Sequence, residues 1–154
     1  MPNKTLYLAS PYGFSDQWRL NLLPDFIIKL ESMGACVWEP FSRNSNIDIS
    51  IPGWTNKVAA SNLRDLRKSD ALFAIVNGNP PDEGVMVELG VAIALGKPTF
   101  LFRDDCRKCT DSDEYPLNLM IFIGIPYDSW NDYFYRSLVE IDNKKKALYK
   151  WLRD

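Results

Sequence analysis

Histidine is absent from this chain. Without an imidazole there can be no Ser-His-Asp or Cys-His relay, so any acid, base or nucleophile must be a carboxylate, Tyr, Lys, Cys or Ser. Cysteine is scarce, with only Cys36, Cys106 and Cys109. Cys106-Arg-Lys-Cys109 is a lone CxxC in a polar loop, and a zinc site would want a second such pair or histidines. An incidental pair of surface thiols therefore reads ahead of a metal site or a redox pair, and neither a metal nor a cofactor is expected. A long basic cluster is also missing: net charge is −2, and Lys144-Lys145-Lys146 reads as the solvated face of a terminal helix. That argues against a nucleic-acid partner. No run approaches the ~18 apolar residues of a membrane span. Met1-Pro-Asn-Lys4 leads straight into a strand-like run in place of a signal peptide. The expectation is a cytoplasmic protein with no membrane partner. Neither G-x-G-x-x-G nor G-x-x-x-x-G-K-[ST] occurs, which removes the common phosphate-cradling loops.

What is present suffices for a core: 46% of the 154 residues are apolar, and residues 1–154 read as one domain. The chain is organised around Pro80–Lys97, PPDEGVMVELGVAIALGK. Two prolines and Asp82-Glu83-Gly84 make a turn, after which apolar residues run at helical spacing to a stop at Gly96. Strand-like Ala71–Val76 precedes this unit and Thr99–Phe102 follows it. Glu88 is anomalous there, because its helical neighbours are almost all apolar. A helix-dipole or capping role would account for it. So would a nucleophile or base at the carboxyl ends of parallel strands, where open α/β sheets bind ligands and the helix N-terminus would keep the carboxylate ionised.

Lys4–Ala9 reads as the central first strand with Tyr7 in its middle, followed by a turn, Ser10–Ser15, that includes Phe14; Ser15 is a candidate cap. A helix is expected over Asp16–Met33, broken or kinked at Pro24, then a strand at Ala35–Trp38 and a long loop over Pro40–Gly53. Phe41 and Trp54 could wall a pocket or simply pack. Thr55 is the expected cap of a helix to Lys68 with Val58, Ala59, Leu63 and Leu66 inward, and Asp70 a local cap where the third strand starts. Arg103–Tyr115 reads as an exposed charged loop, Pro116–Gly124 as a short helix or strand, and Trp130–Leu152 as one long amphipathic helix. The alternation predicts an α/β fold: a doubly wound, mainly parallel sheet of about five strands, in the order 2-1-3-4-5, flanked by helices. Asp82 and Glu88, one in the turn and one on the helix, could flank a small polar ligand, a pairing that suits chemistry at a glycosidic carbon.

These residues carry a family resemblance. Tyr7 on the first strand, Asp82-x-Gly84-x-x-x-Glu88-Leu-Gly90 at the third strand–helix junction and Asn118-Leu-Met120 late in the chain resemble, from Leu6 to about Gly124, the nucleoside 2-deoxyribosyltransferases with their flavodoxin-like fold. The resemblance implies transfer of 2-deoxyribose between purine or pyrimidine bases, with 2′-deoxynucleosides and free nucleobases as partners. Glu88 would be the nucleophile at C1′, forming a covalent glutamyl ester that a second base resolves. Tyr7 would orient Glu88; Asp82 and Asn118 would grip the sugar hydroxyls; Phe14 would stack on the base. Asn118 and Met120 would reach the site of a neighbouring subunit in a homo-oligomer, by resemblance a hexamer. The family usually has an aspartate where this chain has Asn62, thought to protonate the leaving base; an amide there can contact the base but delivers no proton. The rival readings are a 2′-deoxynucleoside 5′-monophosphate N-hydrolase, against which Asp82 speaks because it would repel the phosphate, and a non-catalytic nucleotide-binding α/β module.

Overall fold

The computed structural model of the chain describes residues 4–154; Met1–Asn3, read above as running directly into the first strand, lie outside the described residues. Five parallel strands form one sheet: β1 (Thr5–Ala9), β2 (Cys36–Trp38), β3 (Ala71–Ile75), β4 (Thr99–Phe102) and β5 (Phe134–Tyr135), in the order β2-β1-β3-β4-β5. The expected order 2-1-3-4-5 is the observed one. The fifth strand, however, is Phe134–Tyr135, inside what the apolar spacing predicted to be a long C-terminal helix. Phe134 packs into the cluster on one face of the sheet and Tyr135 into the cluster on the other, which is the two-residue period of a strand. The remaining apolar positions fall on two short helices, α5 (Leu138–Ile141) and α6 (Ala147–Trp151), with Leu152 just past the end of α6. Between them the polar stretch Asp142–Lys146 turns with Asn143 accepting from the Lys145 amide.

Alternation along the strands sorts the core into two layers. Leu6, Leu8, Phe73, Ile75, Phe100 and Phe102 pack against α1 (Leu23–Ser32), α5 and α6. Tyr7, Ala9, Leu72, Ala74 and Leu101 face the opposite side, against α3 (Trp54–Lys68) and α4 (Glu83–Ala94). Tyr7, read from sequence only as central, thus points to the α3/α4 side.

Several local expectations change. The helix expected from Asp16 contains a π-helical segment, Trp18–Leu22, before α1, so Pro24 stands at the joint where its missing N–H is tolerated. Ser10, in place of Ser15, supplies the cap in the first loop, accepting from the Tyr12 amide. The 40–53 loop opens with a short helix, α2 (Pro40–Arg43). Helix α3 starts at Trp54 from Gly53, in the left-handed conformation at φ +86°, and Thr55 is inside the helix. Only Leu66 of its four expected inward residues is fully buried; Ala59 and Leu63 are exposed and Val58 half-buried. Asp70 caps no helix: its Oδ2 accepts from both the amide and the hydroxyl of Thr5 at 2.7 Å, tying β1 to the start of β3. Residues 116–124 return as a 3-10 turn, Leu119–Phe122.

The 103–115 loop is not wholly exposed either. Arg103 is 3% exposed and donates to the backbone carbonyls of Val76, Gly78 and Arg107 at 2.6, 2.8 and 2.8 Å. It thereby holds the turn between β3 and α4, where Gly78 adopts φ +107° and a Cβ would lie 2.8 Å from the Pro80 carbonyl oxygen. Among the described residues no helix is long and apolar enough to cross a membrane.

Candidate functional site

Asp82 N-caps α4, its Oδ1 accepting from the Val85 amide at 3.0 Å. That disposes of a capping role for Glu88, which sits on the second turn with the Tyr7 hydroxyl as its hydrogen-bond partner among the described residues, donating to Oε1 at 2.6 Å. Tyr7 is fully buried in the sheet, 81 residues away in sequence. The bond leaves Oε2 of Glu88 without a partner among the described residues, and Glu88 lines a cleft of about 480 Å³. That volume suits a small organic ligand.

The electrostatics depart from expectation. Burial pushes the Glu88 carboxyl up to about 7; the Tyr7 hydrogen bond pulls the other way, while the charges of Asp82 and Glu39 add to the rise. The α4 N-terminus does not hold Glu88 at an ordinary carboxylate value, because the macrodipole fades beyond the first turn. Tyr7 is raised far above the usual phenol value, by burial first and by Glu88 next, so it stays a donor.

The rest of the cleft is built by three parts of the chain. The turn after β1 contributes Ser10 and Phe14; α2 and the segment following it contribute Pro40, Phe41, Asn44 and Ile49, and α3 contributes Trp54, Val58 and Asn62. Phe41 and Trp54 do wall the pocket. Phe14 is 77% exposed and stands edge-on to Phe41, with ring centroids 5.2 Å apart. The Phe41 ring lies so close to Gly13 that a Cβ there would fall 1.7 Å from it, so any larger residue at this position would push the ring aside.

Two supports of this wall escaped the sequence analysis. Glu39, 5% exposed, accepts the Phe41 and Ser42 amides at 2.9 and 2.7 Å and so starts α2. Arg43 pairs through Nε with the buried Asp65 at 2.5 Å and lies 4.2 Å over the Trp38 ring, pinning α2 to α3 and the sheet. The signal that could have found the first is a carboxylate directly before Pro40, the pattern of an N-cap followed by proline.

Of the residues singled out from sequence, Tyr7, Phe14, Asn62, Asp82 and Glu88 come together at the cleft. Asn118 and Met120 do not reach it within one chain. Asn118 caps the 3-10 turn, accepting from the Met120 amide and donating to Asp111, and Met120 is 59% exposed. Cys106 and Cys109 are free thiols, and no group of metal-ligating residues occurs among the described residues.

The family model described as nucleoside 2-deoxyribosyltransferase matches residues 6–120, three quarters of the chain, with Tyr7, Asp82, Glu88, Asn118 and Met120 inside the match. The chain belongs to this family. A nucleoside deoxyribosyltransferase of Limosilactobacillus fermentum is 26% identical over 134 residues, covering 80% of this chain and 77% of that protein. Among solved structures, the 2-deoxyribosyltransferase of Bacillus psychrosaccharolyticus superposes with a TM-score of 0.69 at 24% identity, covering 90% of each chain. The enzyme of Leishmania mexicana does so with a TM-score of 0.64 at 24% identity, covering 87% of this chain and 91% of that one. These likenesses show the deoxyribosyltransferase fold in this chain.

Proposed function

We propose that this member of the nucleoside 2-deoxyribosyltransferase family exchanges bases on 2-deoxyribose through a covalent ester on Glu88. The observation that carries the reading is the 2.6 Å bond from Tyr7 to Glu88 Oε1 at the edge of the cleft. It fixes one carboxylate oxygen and leaves the other to meet C1′. A 2′-deoxy sugar lacks the electron-withdrawing hydroxyl that disfavours an oxocarbenium-like transition state, so a single placed carboxylate can stabilise that state and then trap it. A second base then attacks C1′ on the face that the first base left, the bond from C1′ to the Glu88 oxygen breaks, and a nucleoside and the free carboxylate are regenerated. Asp82 takes a sugar hydroxyl, and Phe14 and Phe41 border the base.

Asn118 and Met120 serve the cleft of a neighbouring copy in this reading, which makes the working unit a homo-oligomer. The exposed apolar run Leu119, Met120 and Ile123, with Leu63 and Val87 exposed on α3 and α4, supports a second copy there. A cytoplasmic location accompanies the proposal. Asp82 already fills the N-terminus of α4 with a carboxylate, which disfavours a 5′-phosphate and with it the monophosphate hydrolase.

Intact-mass measurement after incubation with a 2′-deoxynucleoside and no acceptor base should show a gain of one deoxyribosyl group on the peptide that contains Glu88. An unmodified chain that nonetheless binds the nucleoside would refute the covalent reading. With free base added, exchange should outpace release of free deoxyribose, and nucleosides should outperform their 5′-monophosphates.

The titration gives a second expected result. Because the attacking group is the anion, kcat/KM should rise with pH and level off above about 7, the value to which burial lifts Glu88. Tyr7→Phe removes a donor that favours the anion, so its acid limb should move to higher pH as well as the plateau falling. A pH–rate profile of both proteins checks this; an unmoved limb would show that Tyr7 does not hold Glu88 in the working enzyme.

A further inference from the structure

On its α3 side the cleft carries amides where a base-protonating acid would be useful. Asn44, just after α2, and Asn62, on α3, both line it. Asn44 Nδ2 donates to the Pro40 carbonyl at 2.8 Å and to Asn62 Oδ1 at 2.7 Å. A backbone carbonyl only accepts, so the end of the Asn44 amide that faces Pro40 must be the NH2. The same NH2 reaches Asn62, so the end of Asn62 that meets it must be the oxygen. The Asn62 amide is thereby fixed one way round. Its own NH2 has no partner among the described residues and is not buried, and Asn62 borders both this cleft and the groove between α3 and α4. The titratable groups lining the cleft are engaged: Asp82 as N-cap of α4 and Glu88 with Tyr7.

Resting on the transferase reading, we infer that Asn62, oriented by Asn44, receives the departing base as an anion. The donor substrates are then 2′-deoxynucleosides of acidic oxo-bases, dioxopyrimidines and oxopurines, which can leave without being protonated first. As a Glu88 oxygen bonds to C1′, the C1′–N bond breaks and its electron pair leaves with the base. The carboxylate charge becomes the charge of the base, which accepts hydrogen bonds from the Asn62 NH2 and takes its proton from water. Asn62 touches the substrate, whereas Asn44 is a positioning residue.

The test is single-turnover base release from 2′-deoxyuridine and its 5-fluoro and 5-methyl derivatives, in the unaltered chain and in Asn62→Asp. Without an acid, rates should follow base acidity, 5-fluoro fastest and 5-methyl slowest, spanning roughly tenfold or more. Asn62→Asp restores a proton donor and should shrink that span severalfold. Asn62→Ala should lose roughly 10- to 100-fold in rate, the effect of one hydrogen bond to a charged group. Asn44→Ala should lower the rate in the unaltered chain but not in the Asn62→Ala background, a coupling that a merely structural role would not produce. Rates indifferent to base acidity, or the same span in Asn62→Asp, would overturn this inference alone. Additive losses for Asn44 and Asn62 would overturn the positioning role. Failure of every donor to release its base would remove the transferase reading and this inference with it.

Discussion

Glu88→Gln is expected to abolish base exchange, lowering kcat/KM by roughly four orders of magnitude, because in the proposed reaction the Glu88 carboxylate forms the ester and an amide does not replace it. The amide keeps the shape of the carboxylate and can still accept the Tyr7 hydroxyl, so the fold should survive. It should in fact be more stable in alkaline buffer. The folded-state value of about 7 lies above the ordinary 4.5, so the native chain holds a proton that the unfolded chain releases between those two values. Stability contributed by the protonated form is complete below about 4.5, falls as pH rises toward 7, and is absent above it. Glutamine carries no such cost. At pH 8 the variant should therefore gain on the order of 2 kcal/mol, about 5 °C in melting temperature, and near pH 4 the two proteins should melt together. Thermal denaturation across pH decides it: a variant less stable at pH 8 would mean that the carboxylate supports the fold.

Arg103→Ala is expected to be the most damaging substitution outside the cleft, costing about 3–5 kcal/mol. The guanidinium is buried, and its loss leaves the carbonyls of Val76, Gly78 and Arg107 without their donor. Its ionic neighbour Asp105, at 3.9 Å, also holds Arg107 and accepts from the Gly78 amide, so both sides of the turn loosen together. Arg103→Lys should recover little, since an ammonium on a flexible stem cannot reproduce a planar fork aimed at three carbonyls. Melting temperature should drop by roughly 10 °C or more for alanine. Activity measured well below that temperature should also fall, because the Gly78–Pro81 turn delivers Asp82 and the start of α4. A melting point unchanged in Arg103→Ala would show that the backbone holds this turn unaided.

Where the fold was legible in the sequence, short-range chemistry was the reason. The turn at Pro80–Gly84, the stop at Gly96 and the flanking apolar runs mark β3, α4 and β4 to within a few residues. The C-terminal region misled because apolar residues at steps of three, four and seven suit a helix as well as a strand followed by two short helices. What chose between them was an open edge on β4, where Leu101 and Phe102 pair with Phe134 and Tyr135. Arg103 misled in the same way: charge-rich surroundings read as solvent-exposed, and only the approach of three backbone carbonyls makes burial of a guanidinium tolerable.

Residue types alone determined that the chain has no imidazole chemistry, that it alternates strands and helices, and that a glutamate stands among apolar helical neighbours. They also determined that an amide stands at position 62, since that is a matter of identity and not of placement. Tertiary structure decided which carboxylate caps and which one meets a tyrosine from the central strand, how far burial lifts the titration of Glu88, and which way the Asn62 amide faces. Desolvation and hydrogen-bond direction depend on atoms brought from distant parts of the chain, 81 residues away for Tyr7 and 18 for Asn44, and spacing along the sequence does not encode them.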